Sequence, residues 1–256
     1  MSGFCSSLAR WALLAALGAV LSGCGAGGSG GVAGDPFEFD ADMPKPRDYP
    51  IHGIDVSKYQ GNVDWNAVAS SGVKFAWIKA TEGGDHVDER FTANWAAARN
   101  AGIPRGAYHF VYWCRPPIEE VTWFEQNVPV EDDALPPVLD VEPTPESKTC
   151  HRRLERDAAI ADMTVMLDER ERHFGKRPVI YTSVDFYEAI LSDGAFSDYP
   201  MWVRSTKHHP SVRYGARPWK FWQYQADGSV PGIEGHVDKN VFYGTPGQWQ
   251  AFLNAK

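Results

Sequence analysis

Asp140-Val141-Glu142 puts two carboxylates two residues apart at the end of an apolar run that begins at Pro137 and is stopped by Pro143. Such a run reads as a buried strand, and residues two apart on a strand project to the same side. Like charges held so close cannot both ionise cheaply, so one pKa must rise. A carboxylic acid kept protonated near neutral pH can protonate a leaving group. Taken alone, a D-x-E triplet is more often a strand-end pair facing solvent. Here it has company. Asp55 ends an earlier strand, Glu82 follows a second, His109 lies in a third, and Asp238 lies in the last. Tyr108, Tyr181, Trp202, Trp222 and Tyr224 sit at or near the same strand ends. Carboxylates ringed by aromatic side chains suit carbohydrate cleavage better than phosphate or acyl chemistry. No phosphate-binding glycine loop, nucleophile elbow between strand and helix, or zinc motif competes with that reading. The eight His are scattered, so a metal centre has little support.

These residues need a scaffold that brings several strand ends to one place. Strands are expected at Ile51 to Ser57, Lys74 to Ala80, Arg105 to Val111, Pro137 to Glu142 and Pro178 to Thr182. Helical patterns follow each of them: Trp65 to Ser70, Phe91 to Ala101, Pro117 to Asn127, Leu154 to Phe174 and Asp185 to Leu191. Three more strands, Met201 to Arg204, Lys220 to Gln225 and Val237 to Tyr243, come without room for helices between them. A last helix covers about Gln248 to Leu253. Alternating strands and helices imply a parallel sheet with helices outside. The expected fold is α/β, an irregular flattened (β/α) barrel of five β/α units closed by three further, partly antiparallel strands. In such a barrel the working face is the C-terminal end of the strands.

The N-terminus reads as an address. Arg10 is the only charge before the apolar run Trp11 to Leu21, too short to span a bilayer but suited to a signal peptide. Leu21-Ser22-Gly23-Cys24 resembles a bacterial lipobox, with cleavage before Cys24 and lipidation on it; an ordinary secretory signal is the alternative. The expected organisation is a signal peptide over residues 1–23, a lipid-anchored flexible linker over 24–48, and a catalytic barrel domain over 49–256. Gly25 after the Cys favours the outer membrane facing the periplasm, by resemblance to lipoprotein sorting patterns. Cys5 lies in the signal peptide, and the two remaining cysteines, Cys114 after the third strand and Cys150 after the fourth, lie in loops on one face. A disulfide between them fits an oxidising compartment; two unpaired thiols are the alternative. Thirty-three acidic against 25 basic residues give a formal charge of −8, the wrong sign for a nucleic-acid partner.

Six segments also resemble glycoside hydrolase family 25, the Chalaropsis-type lysozymes. They are Gly53-Ile54-Asp55-Val56-Ser57-Lys58-Tyr59-Gln60, Lys79-Ala80-Thr81-Glu82-Gly83, Gly106-Ala107-Tyr108-His109-Phe110, Leu139-Asp140-Val141-Glu142, Trp222-Gln223-Tyr224 and Val237-Asp238-Lys239-Asn240. They occur in order from about Ile51 to Tyr243. The resemblance implies hydrolysis of the β-1,4 bond between N-acetylmuramic acid and N-acetylglucosamine in peptidoglycan, with retention and no cofactor. By position it implies Glu142 as general acid/base, Asp140 as stabiliser of the intermediate, and Asp55 and Asp238 as further catalytic residues. The nucleophile is either the substrate's own 2-acetamido group or a carboxylate. Tyr108, Tyr181, Trp202, Trp222, Tyr224 and Glu82 are the expected substrate-binding residues. The expected partners are peptidoglycan glycan strands and, through the anchor, a membrane, with the protein itself a monomer. A peptidoglycan-binding lipoprotein without turnover is the alternative, as is a hydrolase of other amino-sugar polymers.

Overall fold

The computed structural model describes residues 42–144, 147–150, 152 and 154–255. The signal peptide, Cys24 and the linker as far as residue 41 lie outside the described residues. Pro46–Asp48 form a 3-10 turn whose Pro46 is buried, and Tyr49 packs edge-on against Trp219 and Trp222.

Eight strands close a barrel, in the order β1 (His52–Val56), β2 (Phe75–Glu82), β4 (Arg105–Phe110), β5 (Val138–Val141), β6 (Val179–Thr182), β7 (Met201–Arg204), β8 (Phe221–Gly228) and β9 (Val237–Phe242), with β9 returning to β1. A ninth short strand, β3 (His86–Val87), forms a hairpin on β2 beyond the closed ring. Seven α-helices accompany them among the described residues: α1 (Trp65–Ser70), α2 (Phe91–Asn100), α3 (Pro117–Asn127), α4 (Arg156–Phe174), α5 (Val184–Phe186), α6 (Pro210–Tyr214) and α7 (Pro246–Leu253). The last residues of the α5 region, Tyr187–Leu191, continue as a π-helical turn.

The barrel expected from the sequence is present, with one change in how it closes. β7 and β8 remain parallel to β6, and within the closed ring β9 alone runs antiparallel, wedged between β8 and β1. The stretch between β7 and β8 therefore holds a helix after all. Pro210 opens α6, and the His209 side chain caps it by accepting from the Ser211 amide. A parallel crossover requires about a dozen residues, which the stretch from Arg204 to Phe221 supplies.

Local chemistry sets the element boundaries. Asp64 caps α1 by accepting from the amides of Asn66 and Ala67, and Gly175 ends α4 in the left-handed conformation at φ 63°. Rings fill the barrel interior: Phe75, Trp77, Trp202, Phe221 and Phe242 interleave there. Gly53 and Gly106 make room for them, since a Cβ at either would strike the ring of Phe75 or Trp77. Trp249 and Phe252 of α7 pack edge-on against this cluster. The outward faces of the strands are equally apolar. Leu139, Val141, Ile180 and Val203 join Met163, Met166 and Leu167 of α4, while Ile54, Ala76 and Ile78 pack among residues of α1 and α2. What is left open is the C-terminal rim.

Candidate active site

Asp55, Asp140, Glu142 and Asp238 all line one cleft of about 300 Å³ at that rim. The strand register explains the gathering. Asp55 ends β1 and lies opposite Asp238 of antiparallel β9, while Asp140 near the end of β5 lies beside Tyr181 of β6 and Phe110 of β4.

Asp55 lies at the centre of a buried hydrogen-bond network. Its Oδ2 accepts from Gln223 Nε2 at 3.0 Å and from Asn240 Nδ2 at 2.7 Å. Gln223 Oε1 in turn accepts from the Tyr181 hydroxyl at 2.8 Å, and Asn240 Oδ1 accepts from Trp202 Nε1 at 2.8 Å. An indole nitrogen can only donate, so Trp202 compels Asn240 to present its amide protons to Asp55. Two donors on one oxygen favour the carboxylate, yet burial outweighs them and pushes Asp55 up to about 6.

The other acids are likewise displaced upwards. Burial, and then the charge of Glu142, raises Asp140 well above the ordinary carboxylate range, with Lys79 opposing. Asp140 Oδ1 is buried and has no hydrogen-bond partner among the described residues. Burial also raises Glu142; Arg204 and Lys79 pull it down, and Asp55 adds to the rise. Asp238 is pushed up to about 8 by burial and by the Asp55 charge across the strands. Burial and the surrounding carboxylates lift the hydroxyls of Tyr108 and Tyr181 above their usual range, so both remain protonated donors. The cleft thus combines acids that hold protons near neutral pH with two fixed cations, Lys79 and Arg204, and aromatic walls. That arrangement can deliver a proton to an oxygen and stabilise positive charge that follows, as glycosidic cleavage requires.

Three of the five aromatic residues expected in the site are there: Tyr108, Tyr181 and Trp202 line the cleft. Trp222 and Tyr224 are not. They lie on the outward face of β8, where Trp222 Nε1 donates to the Ser205 carbonyl at 2.7 Å and both rings belong to the core outside the barrel. It is Gln223, between them, that points inward. Glu82 also lies off the cleft, paired with Lys79 at 2.6 Å. His109 is wholly buried on the outer face of β4, hydrogen-bonded to Thr81 at 2.7 Å and to Glu120 of α3 at 2.9 Å. Cys114 and Cys150 form a disulfide with Cα atoms 5.6 Å apart.

Gln223, Asn240, Lys79 and Arg204 carry the polar framework of the site and were not singled out from the sequence. A signal was available for two of them. Asn240 shares strand parity with Asp238, and Gln223 is the lone polar residue in an aromatic run.

Comparison with known proteins agrees with this geometry. Residues 54–233 match the family model described as glycosyl hydrolases family 25, a stretch that holds Asp55, Asp140, Glu142 and Gln223. The chain belongs to glycosyl hydrolase family 25. It is therefore a glycoside hydrolase, and its barrel is the family-25 barrel. It is 36% identical over 218 residues to lysozyme M1 of Streptomyces globisporus, covering 80% of this chain and 71% of that one. It is 39% identical over 220 residues to the uncharacterized protein YegX of Escherichia coli K12, covering 82% and 75%. Among solved structures, a family 25 glycosyl hydrolase from Bacillus anthracis superposes with a TM-score of 0.74 at 34% identity, covering 82% of this chain and 95% of that one.

Proposed function

We propose that this family-25 enzyme is a muramidase that cleaves the β-1,4 bond between N-acetylmuramic acid and N-acetylglucosamine in peptidoglycan, with retention. The observation that carries the reading is the pairing in one cleft of Glu142 with a buried Asp140 whose Oδ1 lacks a partner. Glu142, its pKa raised by burial, gives its proton to the glycosidic oxygen as the C1–O bond breaks. The 2-acetamido carbonyl oxygen of the same sugar attacks C1, and the acetamido N–H donates to the Asp140 carboxyl group that lines the cleft. Glu142, now ionised, takes a proton from water as that water attacks C1 and the bond between C1 and the acetamido oxygen breaks. Two inversions leave the configuration retained. Asp55 and Asp238 shape the charge of the cleft, and Tyr108, Tyr181 and Trp202 hold the sugars. The similarity to lysozyme M1 supports the substrate class.

Digestion of purified peptidoglycan, with mass analysis of the new reducing ends, tests the bond cleaved. N-acetylmuramic acid at the reducing end is the expected product; N-acetylglucosamine there, or no release, overturns it. We further propose that Cys24 carries a lipid and holds the enzyme in the cell envelope. The Leu21-Ser22-Gly23-Cys24 sequence supports that placement.

A further inference from the structure

A second basin, of about 500 Å³, opens on the same rim. Its walls come from three loops: Glu82, Gly83, Asp85 and His86 of the β2–β3 turn, Tyr112 and Arg115 after β4, and Thr149 with the Cys114–Cys150 disulfide. Two contacts join it to the catalytic cleft. Lys79 lines the cleft and Glu82 the basin, and the two are bonded at 2.6 Å. Phe110 lines the cleft and Tyr112 the basin, with ring centroids 5.8 Å apart. Gly83, at φ 56°, lets the turn close onto Tyr112, and the disulfide ties the other two loops together.

The chemistry of the two cavities differs. The catalytic cleft sets the aromatic faces of Tyr108, Phe110, Tyr181 and Trp202 around its acids and its two cations, a surface suited to sugar rings. The basin offers one tyrosine and charges of both signs. Arg115 is bonded to Asp85 and lies 3.7 Å from Glu119, and Glu82 answers Lys79. Exposed ion pairs such as Arg115–Asp85 contribute little and open readily for a ligand that offers the same charges. A neutral sugar has no such charges. A short peptide with free carboxylates and an amine has both.

We propose that this basin binds the peptide stem of peptidoglycan, Arg115 taking a stem carboxylate and Glu82 or Asp85 the stem amine, while the glycan occupies the adjoining cleft. The proposal rests on the muramidase reading for its setting, since the stem branches from the sugar that the cleft holds. It also gives Glu82 a role away from the glycan.

Two measurements separate this proposal from the reading beneath it. The first compares kcat/KM on intact sacculi and on sacculi stripped of stems by an amidase, for wild type, Arg115→Ala and Arg115→Gln. Arg115 is about 42% exposed, so neither change empties a packed core. The ratio of intact to stripped substrate is expected to fall about tenfold in both variants, the loss of one charge-assisted hydrogen bond, through KM. The second titrates wild type with an N-acetylated wall tetrapeptide that bears free carboxylates and one amine, followed by amide NMR shifts. Shifts are expected around Tyr112 and Arg115. If the peptide binds there but no substrate is cleaved, the muramidase reading fails and the basin stands. If cleavage occurs while the ratio is unchanged in both variants, or the peptide shifts nothing there, the stem site is overturned and the basin is at most an extension of the glycan path.

Discussion

Asp55 and Asp238 face each other directly across the antiparallel β1–β9 pair. Like charges directly opposite on neighbouring strands are destabilising. The site resolves the conflict unequally. Asp55 receives both amide donors, and Asp238 is driven up to about 8. Near neutral pH the pair therefore carries its negative charge mainly on Asp55.

That asymmetry has a thermodynamic consequence. A carboxyl whose folded pKa is raised contributes stability that is fully present below its unfolded pKa of 3.8 and is lost as pH rises through about 8. Asp238→Asn keeps the neutral shape and removes the titration. The variant should melt above wild type at alkaline pH, by about 2–4 °C for each kcal/mol relieved, and the gap should narrow towards mildly acidic pH. Turnover should also fall, though less than for a change at Glu142. A melting difference independent of pH would show that Asp238 does not titrate as described.

Asn240→Ala tests the network from the other side. Losing one of two donors should raise Asp55 further above about 6, because burial is then less opposed. The acid limb of kcat/KM against pH should move to higher pH. Stability should fall by about 1–3 kcal/mol, since Trp202 Nε1 loses its acceptor in a buried place. A rate profile that superimposes on wild type would remove Asp55 from the acid limb.

The order of the strands and the four acids could be read from the chain because each strand end carries its acid beside a turn. Facing direction was harder. Both faces of a barrel strand are buried, so Trp222-Gln223-Tyr224 alternates without a hydrophobic contrast to say which side is inside. Ring size favours Trp222 and Tyr224 as the ligand surface, yet Gln223 turns inward, where it completes the bonds of Asp55. At β2 the register shifts between Lys79 and Thr81. The bulge sends Thr81 outward to His109 and returns Glu82 to the side of Lys79, a parity change that no residue type announces.

Cys114–Cys150 spans a sequence separation of 36 residues. Closing a loop of that size in the unfolded chain is worth about 3–4 kcal/mol on the chain-entropy account. Cys150→Ser should lower the urea midpoint accordingly with little change in the slope. A midpoint equal to wild type, with the wild-type bond verified as oxidised by thiol labelling, would contradict the estimate.

Cys24→Ser should move the protein from the membrane fraction to the soluble fraction. The proposed attachment is a lipid on that residue, and no helix among the described residues is long and apolar enough to cross a membrane. A variant that still sediments with membranes would mean another attachment.

Glu142→Gln is the decisive change for the chemistry. Glu142 follows β5 directly before Pro143, on the cleft with Asp140, and burial raises its pKa, which favours the protonated form that a general acid needs. Glutamine keeps the size and the hydrogen-bonding capacity but has no proton to transfer. General acid catalysis is worth roughly 10²–10⁴-fold, so kcat should fall by about that factor. Binding to intact sacculi should persist, because the aromatic walls and the Asp55 network are untouched. Asp140→Asn should also lower kcat, because an amide stabilises the positively charged intermediate less than a carboxylate does. A folded Glu142→Gln protein that releases reducing ends at near the wild-type rate would overturn the acid assignment, and the proton would then have to come from another of the raised carboxyls, Asp140 or Asp238.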